Sequence, residues 1–297
     1  LRDLTDSGLH AIQTSGKATR NITADPLSGL TEGEIEDARP YCELIRRWFN
    51  LHPEFSWLPG KFKIAINGAK LDETALRIHD LGLRLVRNEK GDLGFSVFVG
   101  GGLGAAAMIA AETASFVPVV DILSYLESSL RIYNLKGRRD HQKKLRIKFL
   151  VRELGATEFS KLVDEDWQQT KDDPDLKLNL NELESLKKDF ALPIKPIDLD
   201  GFKDKVDFNY GIWKKNNVRS HKVSGHSIVN ISLTKLGTAP GDATSEQMRI
   251  LAKLADEFSS GEIRTTKRQT IVFPFVRKDQ VFDLWKSLEQ YDLSSPH

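Results

Sequence analysis

Cysteine is nearly missing from this chain. Its 297 residues hold one, Cys42, which excludes internal disulfides and a four-thiolate zinc or iron–sulfur site within the chain. Long apolar runs are missing as well. No stretch approaches the roughly 20 residues that span a bilayer, so no membrane is expected as a partner. Charge of one sign does not dominate either. With 43 Lys and Arg against 42 Asp and Glu, the net charge is +1, and no global field recruits nucleic acid or an anionic membrane. Hydrolytic signatures are missing too, with no Gly-x-Ser-x-Gly and no visible Ser/His/Asp arrangement. The seven histidines (His10, His52, His79, His141, His221, His226 and His297) lack the close spacing of a metal triad and read as structural or surface residues. The chain opens on Leu1 rather than Met and shows no signal peptide, so both ends read as those of an internal piece.

What is present is a globular composition, 40% apolar and 29% charged, in a chain long enough for one large or two ordinary domains. Residues 1–30 are turn-rich and read as an ordered loop. Residues 34–50 place Ile35, Ala38, Tyr41, Cys42, Ile45 and Phe49 on one helical face, where Cys42 is a core filler. The period then changes to two. Residues 61–66, 81–86 and 95–99 predict strands, the last two joined as a hairpin through the turn at 88–91, with a short helix over 71–80. Pro118 reads as a helix start and Gly137 as its C-terminal cap, around Val119, Leu123, Leu126, Leu130 and Tyr133 at helical spacing. A basic helix is expected over about 139–154, and a third helix capped by Thr157. Residues 171–200 read as a linker, with a short helix at 181–188. Beyond it the pattern restarts at 227–233, 244–258, 261–266, 270–276 and 278–290, the β-α-β-β-α order of a small ferredoxin-like layer. The expected fold is α+β. A larger α/β domain with a mixed sheet covers 1–170, and a ferredoxin-like half-domain covers 201–297.

Three basic or glycine-rich features could carry chemistry. Lys61 and Lys63 sit two apart on a strand, so both ammonium groups fall on one face and Phe62 and Ile64 on the other. Two like charges side by side repel unless an anion lies between them. The plain alternative is the solvated face of an edge strand. Gly100, Gly101 and Gly102 follow a strand directly, and glycines let a backbone approach a ligand and turn N–H groups toward an anion. No Lys-Ser/Thr follows, so this is not a P-loop, and a tight turn explains it as well. Arg138, Arg139 and the cations up to Arg146 crowd the expected start of a helix, where the dipole prefers anions. A bound anion would account for them, as would an ordinary solvated face. Arg20 and Asn21, in the turn-rich opening, say little alone.

Taken in order, these signals gain meaning. Thr14-Ser-Gly16 with Thr19-Arg-Asn21, Glu34-Ile-Glu-Asp-Ala-Arg-Pro-Tyr-Cys42, Leu51-His-Pro-Glu-Phe55, Leu58-Pro-Gly-Lys-Phe-Lys-Ile-Ala65, Val99-Gly-Gly-Gly-Leu-Gly104, Tyr125-Leu-Glu127, and Arg131-Ile-Tyr-Asn134 with Gly137-Arg-Arg-Asp140 follow one another over nearly all of residues 1–170. This series resembles the nitrite/sulfite reductase family, the bacterial sulfite reductase haemoproteins together with the ferredoxin-dependent nitrite reductases. In the second half, Pro240-Gly-Asp-Ala-Thr-Ser-Glu-Gln-Met248, Gly261-Glu-Ile-Arg264 and Gln269 are similar to the family too.

The resemblance implies two repeats, each a ferredoxin-like half followed by a larger siroheme-side domain. It implies siroheme and a four-cysteine 4Fe-4S cluster as cofactors, and the six-electron reduction of sulfite to sulfide in the cytoplasm. The electron donor would be ferredoxin or a flavoprotein reductase. Lys61, Lys63 and Arg20 match the substrate-binding cations. Asn21, the glycines Gly100, Gly101 and Gly102, and Arg138 and Arg139 match regions that hold the siroheme carboxylates. No residue of this chain is expected to ligate metal. The chain is expected to be a central fragment, inactive alone, with the cluster-binding cysteines beyond it and with exposed apolar surface. Three readings stand beside this one: a ferredoxin-dependent nitrite reductase, a corrin-biosynthesis relative, and a non-catalytic tetrapyrrole-binding module. Departures from the family are Gly60, where Arg is frequent, and Ala105-Ala-Ala107, where Arg-Thr-Pro is frequent. The run from Arg264 to Gln269 looks more like the family's first ferredoxin-like half than its second, and Arg268 is given no role.

Overall fold

A computed structural model describes every residue except Leu1, Gln13, Leu51, Ala105, Lys235, Leu236, Thr238 and His297. The expectations that touch Ala105, Leu51 and His297 therefore lie outside the described residues. The chain forms two compact units, Leu1–Ser28 with Glu34–Ala191, and Gly29–Gly33 with Leu192–His297. No described helix is long and apolar enough to cross a membrane.

The first unit is built on a five-stranded mixed sheet, ordered β1 (Thr19–Ala24), β2 (Phe62–Asn67), β3 (Leu81–Arg87), β4 (Leu93–Val99) and β5 (Ala111–Pro118). β1, β2 and β3 run parallel, while β4 and β5 pair antiparallel. Alternation puts Phe62, Ile64, Ile66, Leu81, Leu83, Leu85, Phe95, Val97 and Val99 into one core. Beyond the short exposed α1 (Arg2–Asp6), that core is closed by α2 (Arg39–Phe49), α3 (Ile122–Lys136), α4 (Ile147–Leu154), α5 (Ala156–Thr170) and α6 (Leu180–Asp189).

Several sequence expectations are corrected here. The opening 1–30 is not all loop, because β1 forms the edge of the sheet; Ile22 and Ala24 are the β1 side chains that pack on the core, too few to show a period. β5 was hidden for the same reason, being rich in small residues and ending at Pro118. The expected helix over 71–80 is a single 3-10 turn, Leu76–Ile78. The Asp72 carboxylate takes the N–H groups of Thr74 and Leu76, and Ala75 is left-handed at φ 57°. The third helix, α5, starts from Gly155 rather than Thr157. Residues 171–191 are not a linker: Leu178, Leu183 and Leu186 are buried in the first core, and Asn179 caps α6 with its side chain.

The second unit is a four-stranded antiparallel sheet, ordered β6 (Val218–Ser220), β7 (His226–Ser232), β9 (Thr270–Arg277), β8 (Arg264–Thr265). α7 (Phe208–Asn217), α8 (Ser245–Phe258) and α9 (Val281–Glu289) supply Tyr210, Trp213, Leu251, Leu254, Leu284 and Trp285 to its core. Thr244 and Gln247 close a capping box on α8. The sequence pattern did not show α7 and β6. Phe-Asn-Tyr-Gly-Ile-Trp-Lys-Lys-Asn-Asn has weak helix propensity, and the helix starts on the Asp207 side chain, which accepts from Tyr210 N–H at 2.9 Å. Val206, just before α7, and Phe208 and Ile212 on it are exposed.

His221 makes this unit acid-sensitive. Its Nδ1 accepts from Val223 N–H at 2.8 Å, while its Nε2 is buried without a partner. Burial, with His226, Lys222 and Arg264 nearby, pushes its pKa down to about 4. The unfolded imidazole titrates at the ordinary value of 6.5. Between those values the unfolded state binds more protons, so stability present above pH 6.5 is lost as pH falls toward 4. Allowing for solvent screening, the loss is about 1–2 kcal/mol. Hydrogen exchange of the β7 amides should report it. In His221→Asn, which keeps an acceptor for Val223, the acid slope should flatten; an unchanged slope would assign it to other groups.

Candidate functional site

Lys61 and Lys63 lie at the start of β2. Phe62 and Ile64 turn into the core, so both lysines emerge on the opposite face and are exposed. Among the described residues neither ammonium has an ion-pair partner. On the neighbouring β1 the register slips, with Thr19 opposite Phe62 but Ile22 opposite Ile64. The extra residue lets consecutive Arg20 and Asn21 line one cavity. Arg20 lies on β1, not in a loop. Its guanidinium donates to Thr14 C=O at 2.7 Å and Gly16 C=O at 2.9 Å, folding residues 14–16 over the strand. Its Nε stays buried with no acceptor. Thr14, Arg20, Asn21, Thr23, Lys63 and His79 line a cavity of about 270 Å³.

Beneath this cavity Asp80 ties the elements together. Its side chain is wholly buried. One oxygen accepts Lys63 N–H at 2.9 Å, and the two together take a bidentate fork from Arg146 at 2.9 and 2.8 Å. Its own C=O accepts Gly100 N–H at 2.9 Å. Burial raises the Asp80 carboxyl above its ordinary value, with Arg146 and Lys63 N–H pulling the other way. Lys148, also buried, donates to Leu103 C=O at 3.0 Å and Ala106 C=O at 2.6 Å, holding the loop that follows β4. Burial and then Arg146 lower its pKa.

The glycines are needed here for close packing. A Cβ on Gly101 would lie 2.4 Å from the carbonyls of Arg77 and His79, and one on Gly102 would meet Lys148 and Arg146. Gly100, Gly101 and Gly102 are therefore buried against their own chain, and Leu103 and Gly104 form the exposed tip.

The cations at 138–146 do not begin a helix. α4 starts at Ile147, and Arg138 and Arg139 instead follow the C-terminus of α3, where the dipole favours positive charge. Arg138 pairs with Asp140, while Arg139 donates to Trp57 C=O and Asn134 C=O. Gly60, where the family often has Arg, packs against Leu145 and the Tyr133 hydroxyl. A Cβ there would sit 3.1 Å from Leu145 Cβ, so a longer side chain needs this segment to move.

The structure thus brings Arg20, Asn21 and Lys63 to one cavity and joins the Gly100 backbone to Lys63 through Asp80. Lys61 shares the face but not the cavity lining, and Arg138 and Arg139 are engaged elsewhere. Sequence reasoning missed His79, Asp80, Arg146 and Lys148. Arg146-x-Lys148 was a usable signal, but it was absorbed into the expected basic helix. An unpaired ammonium and an orphan guanidinium N–H beside an amide and a hydroxyl suit a small polyoxygen anion. A larger cavity of about 570 Å³ beside α5 sets Glu112, Asp164 and Glu165 against the cation Lys161, a net negative lining that disfavours such an anion. No described group of His, Cys, Asp and Glu could hold a metal ion. Cys42 is held protonated by burial, Asp37 and Glu43.

Residues 15–171 match the profile of the nitrite and sulphite reductase 4Fe-4S domain, and residues 234–291 that of the nitrite/sulfite reductase ferredoxin-like half domain. The chain is similar to the chloroplastic ferredoxin–nitrite reductase of Arabidopsis thaliana, 27% identical over 93% of this chain and 43% of that protein. It is similar to sulfite reductase [ferredoxin] 1 of Mycolicibacterium paratuberculosis, 26% identical over 99% of this chain and 46% of that protein. Its fold resembles the NirA protein of Mycobacterium tuberculosis, with a TM-score of 0.72 and 24% identity over 99% of this chain and 48% of that one. The chain thus spans less than half the length of these relatives.

Proposed function

Because the chain belongs to the nitrite and sulphite reductase family, we propose that it furnishes the oxyanion pocket of an assimilatory, siroheme-dependent sulfite reductase. Nitrite is the alternative substrate of the same pocket. The reading is carried by the cavity that Arg20, Asn21 and Lys63 line, where Lys63 has no ion-pair partner among the described residues and Arg20 Nε has no acceptor. Arg20 and Lys63 would hold the anion's oxygens and offset the charge that reduction adds. Lys61, on the same face, would supply protons to the anion's oxygens.

Siroheme fits the residues present, because its many carboxylates need hydrogen-bond donors and cations. Asn21, on the cavity wall, would donate its amide to one, and Arg138 would turn from Asp140 to another, with Arg139 fixing the turn at Trp57 and Gly100, Gly101 and Gly102 letting the loop lie flat. When bound, siroheme supplies the iron at which sulfite is reduced. The cluster does not fit this chain, whose one thiol is packed against the core and held protonated; its cysteines would come from outside this chain, as would the docking of ferredoxin or a flavoprotein reductase. The isolated chain should accordingly show no sulfite-dependent oxidation of a reduced dye, and measurable turnover would refute that division of labour. Absorption titration with siroheme tests the pocket. A Soret shift is expected, and sulfite added to the complex should shift it further, with sulfite affinity lowered about tenfold or more in Arg20→Ala or Lys63→Ala, roughly 1.4 kcal/mol or more. A sulfite response indifferent to both substitutions would remove the pocket from the reading.

A further inference from the structure

His79 belongs to the same cavity, yet neither the family resemblance nor the proposed roles use it. Its placement is built with care. Asp72 gathers the N–H groups of Thr74 and Leu76, Ala75 takes a left-handed conformation at φ 57°, and His79 N–H closes the 3-10 turn on Leu76 C=O at 3.0 Å. The imidazole Nδ1 then lies 3.0 Å from Ala75 C=O. A carbonyl can only accept, so Nδ1 carries the hydrogen and Nε2 is the bare nitrogen. Nε2 has no hydrogen-bond partner among the described residues, and the ring lines the cavity together with Lys63 and Arg20.

Resting on the oxyanion reading of this pocket, we infer that His79 is its third anion-facing group, taking up a proton at Nε2 when an oxyanion binds. The neutral tautomer would present a lone pair to the anion's oxygens, which is repulsive. The imidazolium would present an N–H, which is attractive. The proton comes from solvent, and His79 ends as a cation beside Lys63 and Arg20, with the anion compensating all three.

The surroundings set the direction. In the empty pocket burial comes first and the Lys63 ammonium adds to it, lowering the His79 pKa, while the Ala75 carbonyl, Asp80 and Asp72 act the other way. A bound anion cancels the Lys63 field and adds its own, so it must raise that pKa. By reciprocity, protonation raises anion affinity by the same factor.

A chain labelled at histidine, lysine and arginine, titrated by NMR with and without nitrite, tests this; nitrite stays a monoanion over the working range, so any pH dependence belongs to the protein. His79, Lys63 and Arg20 are assigned by the signals lost in His79→Gln, Lys63→Ala and Arg20→Ala. Nitrite should move the His79 midpoint upward, and affinity should rise about tenfold for each unit of that movement as pH falls through it. His79→Gln should lose the rise, leaving affinity flat over the same pH range, and Lys63→Ala should raise the His79 midpoint without anion. The inference is overturned if nitrite shifts the Lys63 and Arg20 signals but leaves His79 unmoved, or if His79→Gln keeps the full pH dependence. Silence at all three residues overturns the oxyanion reading along with it.

Discussion

Replacing Asp80 with alanine should destabilise the first unit by about 3 kcal/mol, the low end for breaking a buried ion pair, because Arg146 keeps some contact with water. The carboxylate is wholly buried, and its removal strands the Arg146 fork and Lys63 N–H together. The loss should be local before it is global. Hydrogen exchange should accelerate first at Lys63 N–H, which has lost its acceptor. Gly100 N–H, bonded to the backbone carbonyl of residue 80, should follow as the loop after β4 loosens. Asp80→Asn separates the two effects. Its amide oxygen can still accept from Lys63, so Lys63 stays protected while Arg146 is left without a counter-charge. Pairing Asp80→Ala with Arg146→Met should recover part of the loss, since no uncompensated charge remains. Anion affinity should fall in Asp80→Ala and be largely kept in Asp80→Asn. Equal protection of Lys63 N–H in wild type and Asp80→Ala would show that the carboxylate does not anchor this strand.

The reach of the sequence can be judged from the same residues. Period-two alternation at 61–66 was legible because the parallel strand β2 buries one face deeply, and it correctly put Lys61 and Lys63 together. β1 was not legible because the inner positions of this edge strand are only half-buried, though they alternate, and β5 was not legible because its burial follows no clean alternation. The glycines at 100–102 were noticed, but their reason was not: the carbonyls of Arg77 and His79, distant in sequence, press on them. Asp80 and Arg146 are 66 residues apart, and no periodicity links a carboxylate before one strand to an arginine before a helix. The cations at 138–146 were read as a helix start because their charge was visible and the chain's direction was not. The structure assigns part of them to the end of α3 and Arg146 to Asp80. Motif order thus carried the family, while the side chains that support the motif were tertiary facts.

Arg131, in the motif Arg131-Ile-Tyr-Asn134, shows what such a motif does. It holds Glu127, Asp166 at 3.0 Å and Glu54 at 3.5 Å, so one guanidinium is shared among three carboxylates. Asn134 donates to Glu54 C=O and Arg139 to Trp57 C=O, so the end of α3 grips the turn that leads into Lys61. Arg131→Leu should therefore destabilise the first unit by about 3 kcal/mol at neutral pH, since Glu127 is nearly buried and would keep only a partial contact with His52 at 3.8 Å. Burial alone would raise the Glu127 carboxyl, yet His52 and Arg131 hold it below its ordinary value of 4.5. That stabilisation is present above pH 4.5 and is lost as pH falls through the depressed native value. The gap between wild type and Arg131→Leu should consequently be widest near neutrality and close in acid, as measured by denaturant midpoints across pH. Adding Glu127→Gln to Arg131→Leu should narrow the neutral gap by removing the stranded charge. A gap that stays constant with pH would show that Arg131 contributes through packing of its aliphatic stem, and the turn before Lys61 would then owe its position to Asn134 and Arg139.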